Sequence, residues 1–169
     1  MDENLSNKHF ESRDIDRLLH IDRNKLFYWI KTHRLLSPDI EEGKGTGSRS
    51  KFSFNNLLEL TFIKSLVEFG IDLNAVSEIK TELDSYKSEL IRSYKNLKSV
   101  DFKDEICLIK ILRKEKGYEI IFSDAIEDKY ASSPKQFINN YVCPQNTNAC
   151  LILNIKNMIA DLINEIGNT

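Results

Sequence analysis

At 169 residues, 41% apolar and 30% charged, the chain suits one domain or two small ones and can bury a core. A net charge of −2 excludes a histone-like polycation, and no apolar run approaches the roughly 18 residues of a membrane span. The opening MDENLSNKHFESRD is polar and has no secretory signal, and three cysteines without CxxC spacing fit a reducing compartment, so a cytoplasmic location is expected.

The first helical segment is SRDIDRLL. Ser12 is its expected N-cap, and Ile15, Leu18 and Leu19 recur at i, i+3, i+4 as one apolar stripe. HID breaks the pattern, with Ile21 expected inside and Asp22 expected to cap the second helix. In RNKLFYWIKTHR, steps of about 100° per residue put Leu26, Trp29, Ile30 and His33 on one face. Asn24, Tyr28 and Lys31 fall on the other, with Lys25 and Phe27 at the flanks. A short helix, a tight turn and a second helix with a polar, basic outer face form a helix-turn-helix pattern, whose second helix enters the major groove. Ser37 ahead of Pro38 is expected to end that helix.

DIEEGKGTGSRSKF reads as a hairpin with a glycine-rich, flexible tip. Ser53 is the expected cap of FNNLLELTFIKSLVEFG, with apolar period at Leu57, Leu60, Ile63 or Lys64, Leu66 and Val67, and a stop at Gly70. Asp72 is expected to cap IDLNAVSEIKTEL, which aligns Leu73, Val76, Ile79 and Leu83. The stretch DSYKSELIRSYKNLKSVDFKDE is polar and helical in character, with Tyr86, Leu90 and Leu97 as sparse apolar positions, and the domain boundary is expected between Tyr86 and Asp101. ICLIKIL and YEIIFSD, separated by RKEKG, predict a β-hairpin. AIEDKYASSPKQFINNYVCPQNTN reads as loop with room for one short element, and ACLILNIKNMIADLINEIGN as an amphipathic helix with CLILNI a candidate strand leading into it. The expected fold is mainly α with small β: a DNA-binding domain over residues 8–82, a helical connector over 83–100, and a small α+β domain over 101–169.

Charge is unevenly spread. Residues 23–34 carry Arg23, Lys25, Lys31 and Arg34, and residues 43–52 carry Lys44, Arg49 and Lys51, with no acid in either window. On charge alone these are either a phosphate-attracting face or two solvated segments. GKGTGSRSK is not a P-loop, since it lacks GxxxxGK[ST] and follows no strand.

KLFYWIKTHRLLSP, followed by GSRSKFSFNNLLELTFIKSLVEFGIDLNAVSEI, resembles the second helix, wing, third and fourth helices of MerR-type winged-helix transcription regulators. The resemblance spans residues 10–80 and keeps the order of every element. Four departures stand out. His20 replaces the usual turn glycine, and Phe27 replaces the arginine ahead of two aromatics; one extra residue separates Trp29 from LLSP, and Ser50 stands at the usual wing arginine. CPQNTNACLILNIKNMIADL is similar to the tail of one branch of the family, around its "PGQ" stretch.

The resemblance implies double-stranded DNA as partner, a palindromic promoter site, DNA distortion and a homodimer. It implies that Tyr28 touches the sugar-phosphate backbone and that the wing residues Lys44, Arg49 and Lys51 lie along phosphates. Arg23 and Lys25 sit at the helix end that approaches DNA; Asn24 could meet an adenine edge or a phosphate. Trp29 takes the other family aromatic position but faces the core on the wheel, as does His33. The dimer seam is expected in residues 86–97 or the terminal helix. Cys107, Cys143 and Cys150 are expected as small buried hydrophobes rather than the metal ligands of the family's sensors. No catalytic constellation, cofactor or metal site is apparent, and no small-molecule effector can be named. The rival readings are an architectural or segregation protein using the same winged helix, and a partner- or ligand-binding module acting through the C-terminal part.

Overall fold

A computed structural model of the chain describes residues 8–43, 49–85, 108–113, 115, 117–123 and 149–167. The chain divides into two compact units, one of Met1–Ser77 with Ile159–Thr169 and one of Glu78–Met158. The fold is mainly helical with a few short antiparallel strands.

The first unit opens on β1 (Phe10–Glu11), which pairs antiparallel with β2 (Lys51–Phe52) in the register Phe10↔Phe52 and Glu11↔Lys51. Both phenylalanines are buried, so this short ladder also closes one side of the core. Pairing holds Glu11 extended up to the point where α1 (Ser12–Leu19) begins. Ser12 is therefore the first helical residue and not the cap. Glu11 is the N-cap, and its N–H donates to Asp14 Oδ2 at 2.8 Å. Ile15, Leu18 and Leu19 are buried as one stripe. His20 has φ of 51°, the left-handed region that a tight turn asks for.

Ile21 is fully buried, and Asp22 Oδ1 accepts the N–H groups of Asn24 and Lys25 at 2.9 and 3.0 Å. These bonds satisfy two of the otherwise unpaired donors that open α2 (Arg23–Phe27). α2 runs on without a break into a π-helical turn, Tyr28–Thr32, in which the His33 N–H reaches back five residues to Tyr28 O at 3.1 Å. This wider turn holds one residue more than an α-turn. The helix then stops at Arg34, whose φ is 52°, with the Leu35 N–H on Trp29 O at 3.0 Å. It ends well before Ser37-Pro38 because Leu35 and Leu36 turn into the core.

Glu41 and Lys51 exchange backbone hydrogen bonds of 2.8 and 3.3 Å, which forms the base of the expected hairpin. The Gly43 N–H donates to Ser50 Oγ at 3.1 Å. Residues 44–48, Lys44 among them, lie outside the described residues.

α3 (Phe54–Glu68) is capped as expected by Ser53 Oγ, which accepts the Asn56 N–H at 3.2 Å. It buries Leu57, Leu60, Ile63 and Leu66; Lys64 sits at the edge, paired with Glu68 at 3.3 Å. Asn56 is a buried polar residue with matched partners. Its Oδ1 accepts the Asp39 N–H at 3.0 Å and its Nδ2 donates to Ser37 O at 3.3 Å. The Ser53 hydroxyl also donates to Asp39, so α3 holds the segment after Leu36 by its first turn. Gly70, at φ 84°, closes α3 while the Ile71 N–H bonds Leu66 O at 3.1 Å. Asp72 caps α4 (Leu73–Ser85) through the N–H groups of Asn74 and Ala75, and Val76 and Ile79 are fully buried. The side chain of Leu83 lies outside the described set.

In the second unit, β3 (Leu108–Arg113) is the central strand of an antiparallel sheet, between β4 (Tyr118–Ser123) and β5 (Ala149–Asn154). Ile111 pairs with Ile120 on one side and Leu151 on the other. The turn between β3 and β4 uses Gly117 at φ 75°. β5 passes directly into α5 (Ile155–Gly167), whose first turn is capped by Asn154 Oδ1 on the Asn157 N–H at 3.1 Å. From Ile159 onward α5 belongs to the first unit, and Ile159, Leu162 and Ile166 form its buried stripe.

Cys150 lies in β5, while Cys107 and Cys143 fall outside the described residues. So do residues 86–97, one of the expected dimer segments, and residues 125–148, expected as loop. Among the described residues no helix is long and apolar enough to cross a membrane.

Candidate nucleic-acid interface

α2 and its π turn divide cleanly into two faces. Leu26 and Trp29 are buried, at 2% and 1% exposure, and Ile30 is half-buried. Asn24, Tyr28 and Lys31 are all exposed, Tyr28 at 48%. Capping by Asp22 fixes where the helix starts, and burial of Trp29 fixes its rotation. Together they leave those three side chains facing solvent on one side.

Phe27, expected at the flank, is 63% exposed, more than Tyr28. Lys25 is half-buried because its stem lies over the core edge, with Nζ 5.2 Å from the centre of the Trp29 ring. Trp29 is thus a core residue with a cation over its face. His33 is half-buried; its ring meets Tyr28 edge-on at 4.7 Å, and its buried Nε2 has no hydrogen-bond partner. The Tyr28 ring is therefore braced from behind, while part of it stays in water.

The electrostatics differ from a count along the chain. Folding brings three carboxylates from outside the two acid-free windows against the cations. Lys31 pairs with Glu42, Arg49 with Glu11 at 2.7 Å, and Lys51 with Glu41 at 2.7 Å. Glu11 also lies 3.8 Å from Arg13. The hydrogen bond between Lys51 and Glu41, and then their mutual charge, hold Glu41 below the usual carboxylate range and lift Lys51 above the ordinary lysine value. Arg23, Lys25 and Arg34 are in no ion pair among the described residues. The cations therefore form a mosaic: Arg23, Lys25 and Arg34 outside ion pairs among the described residues, and Lys31, Arg49 and Lys51 each paired with a carboxylate.

The three paired sites are solvated, so their carboxylates hold the cations weakly and a stronger anion can displace them. Lys31–Glu42 has a second consequence. It ties the outward face of the π turn to the outgoing arm of the hairpin, so these two segments are neighbours. The acids were not legible as partners. Glu11 is 38 positions from Arg49 in the chain, and only the β1–β2 register brings it near. Glu41 and Glu42 stood just outside the window that begins at Gly43, and the hairpin pairing Glu41↔Lys51 is the signal that would have found one of them.

Among the described residues no group of three or more histidine, cysteine or acidic side chains is placed to hold a metal ion. No protein-family model matches the chain, and no curated protein matches it in sequence.

Proposed function

We propose that the chain is a sequence-specific DNA-binding transcription regulator, a cytoplasmic homodimer whose N-terminal unit acts as a MerR-like winged helix-turn-helix. The observation that carries this reading is the sidedness of α2: Asn24, Tyr28 and Lys31 are exposed together while Leu26 and Trp29 are buried. The hairpin base beside that face supports it, because a winged reader needs a β-arm next to its groove helix.

In this reading α2 enters the major groove, whose width of about 12 Å matches a helix with side chains. Arg23 and Lys25 lead at the N-terminal end. Tyr28 and Lys31 contact the sugar-phosphate backbone, and Asn24 faces base edges or a phosphate. Arg49 and Lys51 exchange Glu11 and Glu41 for phosphate oxygens as the hairpin settles along the strand. Because each such exchange releases a counterion from DNA, affinity falls steeply with salt.

The test is a titration of labelled duplex at several salt concentrations with wild type and the Tyr28→Phe and Lys31→Ala variants. Lys31→Ala is expected to flatten the salt slope by about 1, and Tyr28→Phe to weaken binding without changing the slope. Binding by both variants indistinguishable from wild type would remove this face from the interface.

A further inference from the structure

Phe27 is the exposed apolar ring of α2, and none of the phosphate-directed roles of its neighbours can explain it. It is 63% exposed on a helix whose apolar stripe is otherwise buried, so it is not a misplaced core residue. On the wheel it lies about 60° from Asn24 and about 40° from Arg23, between an exposed amide and a guanidinium. Both neighbours are exposed, and neither is held in an ion pair among the described residues. A phenyl ring has no hydrogen-bonding group, so it cannot bind phosphate or read a donor or acceptor edge. In the major groove the four base pairs present one distinctive apolar group, the 5-methyl of thymine.

We propose that Phe27 is a specificity-determining residue that packs on a thymine 5-methyl, so the chain's half-site carries a thymine at a fixed step from the base or phosphate met by Asn24. This rests on the DNA-binding reading above and adds to it the class of sequence recognised. Arg23, on the far side of the ring, supplies charge to hold the helix against the backbone while the ring supplies discrimination. The ring's exposure in the free protein costs apolar hydration that groove contact recovers, and one buried methyl contact is worth about fourfold in affinity.

The experiment begins with duplexes selected from a random pool by the full chain. Each thymine of the enriched sequence is then replaced by deoxyuridine, which removes only the 5-methyl, and every duplex is titrated against wild type and Phe27→Ala. The expected result is one position at which wild type loses about fourfold on uracil while Phe27→Ala binds thymine and uracil duplexes alike. Wild type that binds its selected DNA but is indifferent to every uracil replacement overturns the role of Phe27 and leaves the DNA-binding reading standing. So does a Phe27→Ala variant that still discriminates, or one that changes only the oligomeric state. Failure of the wild type to enrich any duplex overturns both.

Discussion

Lys31 Nζ and Glu42 Oε1 form an ion pair that joins the π turn at the end of α2 to the outgoing arm of the hairpin. The pair has two effects that pull in opposite directions. It holds the hairpin arm beside the outward helix face, which favours a preformed interface. It also places a carboxylate where a DNA phosphate is proposed to come.

Removing that carboxylate should separate the two effects. Glu42→Gln keeps the shape of the side chain and deletes one negative charge. Non-specific duplex affinity is expected to rise, and the slope of log K against log salt to steepen by up to about 1. Fluorescence anisotropy across a salt series reads this directly. Weaker binding would mean that the ion pair serves to position the arm rather than to compete with DNA.

Arg49 and Lys51 provide the complementary case. Replacing both with alanine leaves Glu11 and Glu41 without their closest cationic partners, so lost attraction is compounded by new repulsion of phosphate. Binding should weaken across all sequences alike, and the salt slope should flatten by about 1 to 2. A change in base preference with no change in slope would contradict a backbone role for the hairpin.

The pair Glu41–Lys51 makes a pH prediction with a definite sign. Glu41 is lowered, so its contribution is complete above the ordinary carboxylate pKa and is lost as pH falls through the lowered value. Lys51 is raised, so its contribution is complete below the ordinary lysine pKa and is lost as pH rises through the raised value. Across the neutral range the pair is therefore intact. Thermal melts of wild type and Glu41→Gln should differ by a constant offset near neutrality, and the offset should vanish in acid. An offset that grows as pH falls would contradict this assignment.

The two faces of α2 were readable from residue spacing because Leu26 and Trp29 are strongly apolar and Asn24 and Lys31 strongly polar. Caps at Asp22, Ser53 and Asp72 were equally legible, since an oxygen-bearing side chain ahead of an apolar period has one obvious use. Ser12 misled for the same reason: its type suits a cap, but the pairing of Phe10 with Phe52, 42 positions on, decides that Glu11 stays extended. The π turn was not legible, because a wider turn changes hydrogen-bond spacing without changing composition. The carboxylate partners were hidden because ion pairs between β1, α2 and the hairpin depend on tertiary proximity, which local charge counts ignore.

Two buried residues, Trp29 and Asn56, brace the proposed interface from inside. Trp29 sets the rotation of α2, and Trp29→Ala is expected to cost about 3–5 kcal/mol in chemical denaturation. Asn56 joins α3 to Ser37 and Asp39, and Asn56→Ala, which leaves the Ser37 carbonyl and the Asp39 N–H without those bonds, is expected to cost about 1–3 kcal/mol. A Trp29→Ala loss below about 1 kcal/mol would show that the helix is oriented by something other than this ring.

The central claim is that the outward face of α2 reads duplex DNA, and the most direct measurement is selection from a random duplex pool with the full chain. Wild type is predicted to enrich one sequence, arranged as a palindrome, and the triple variant Asn24→Ala, Tyr28→Ala, Lys31→Ala to enrich none while still folding. Enrichment of the same sequence by the triple variant, or of no sequence by the wild type, would contradict the account.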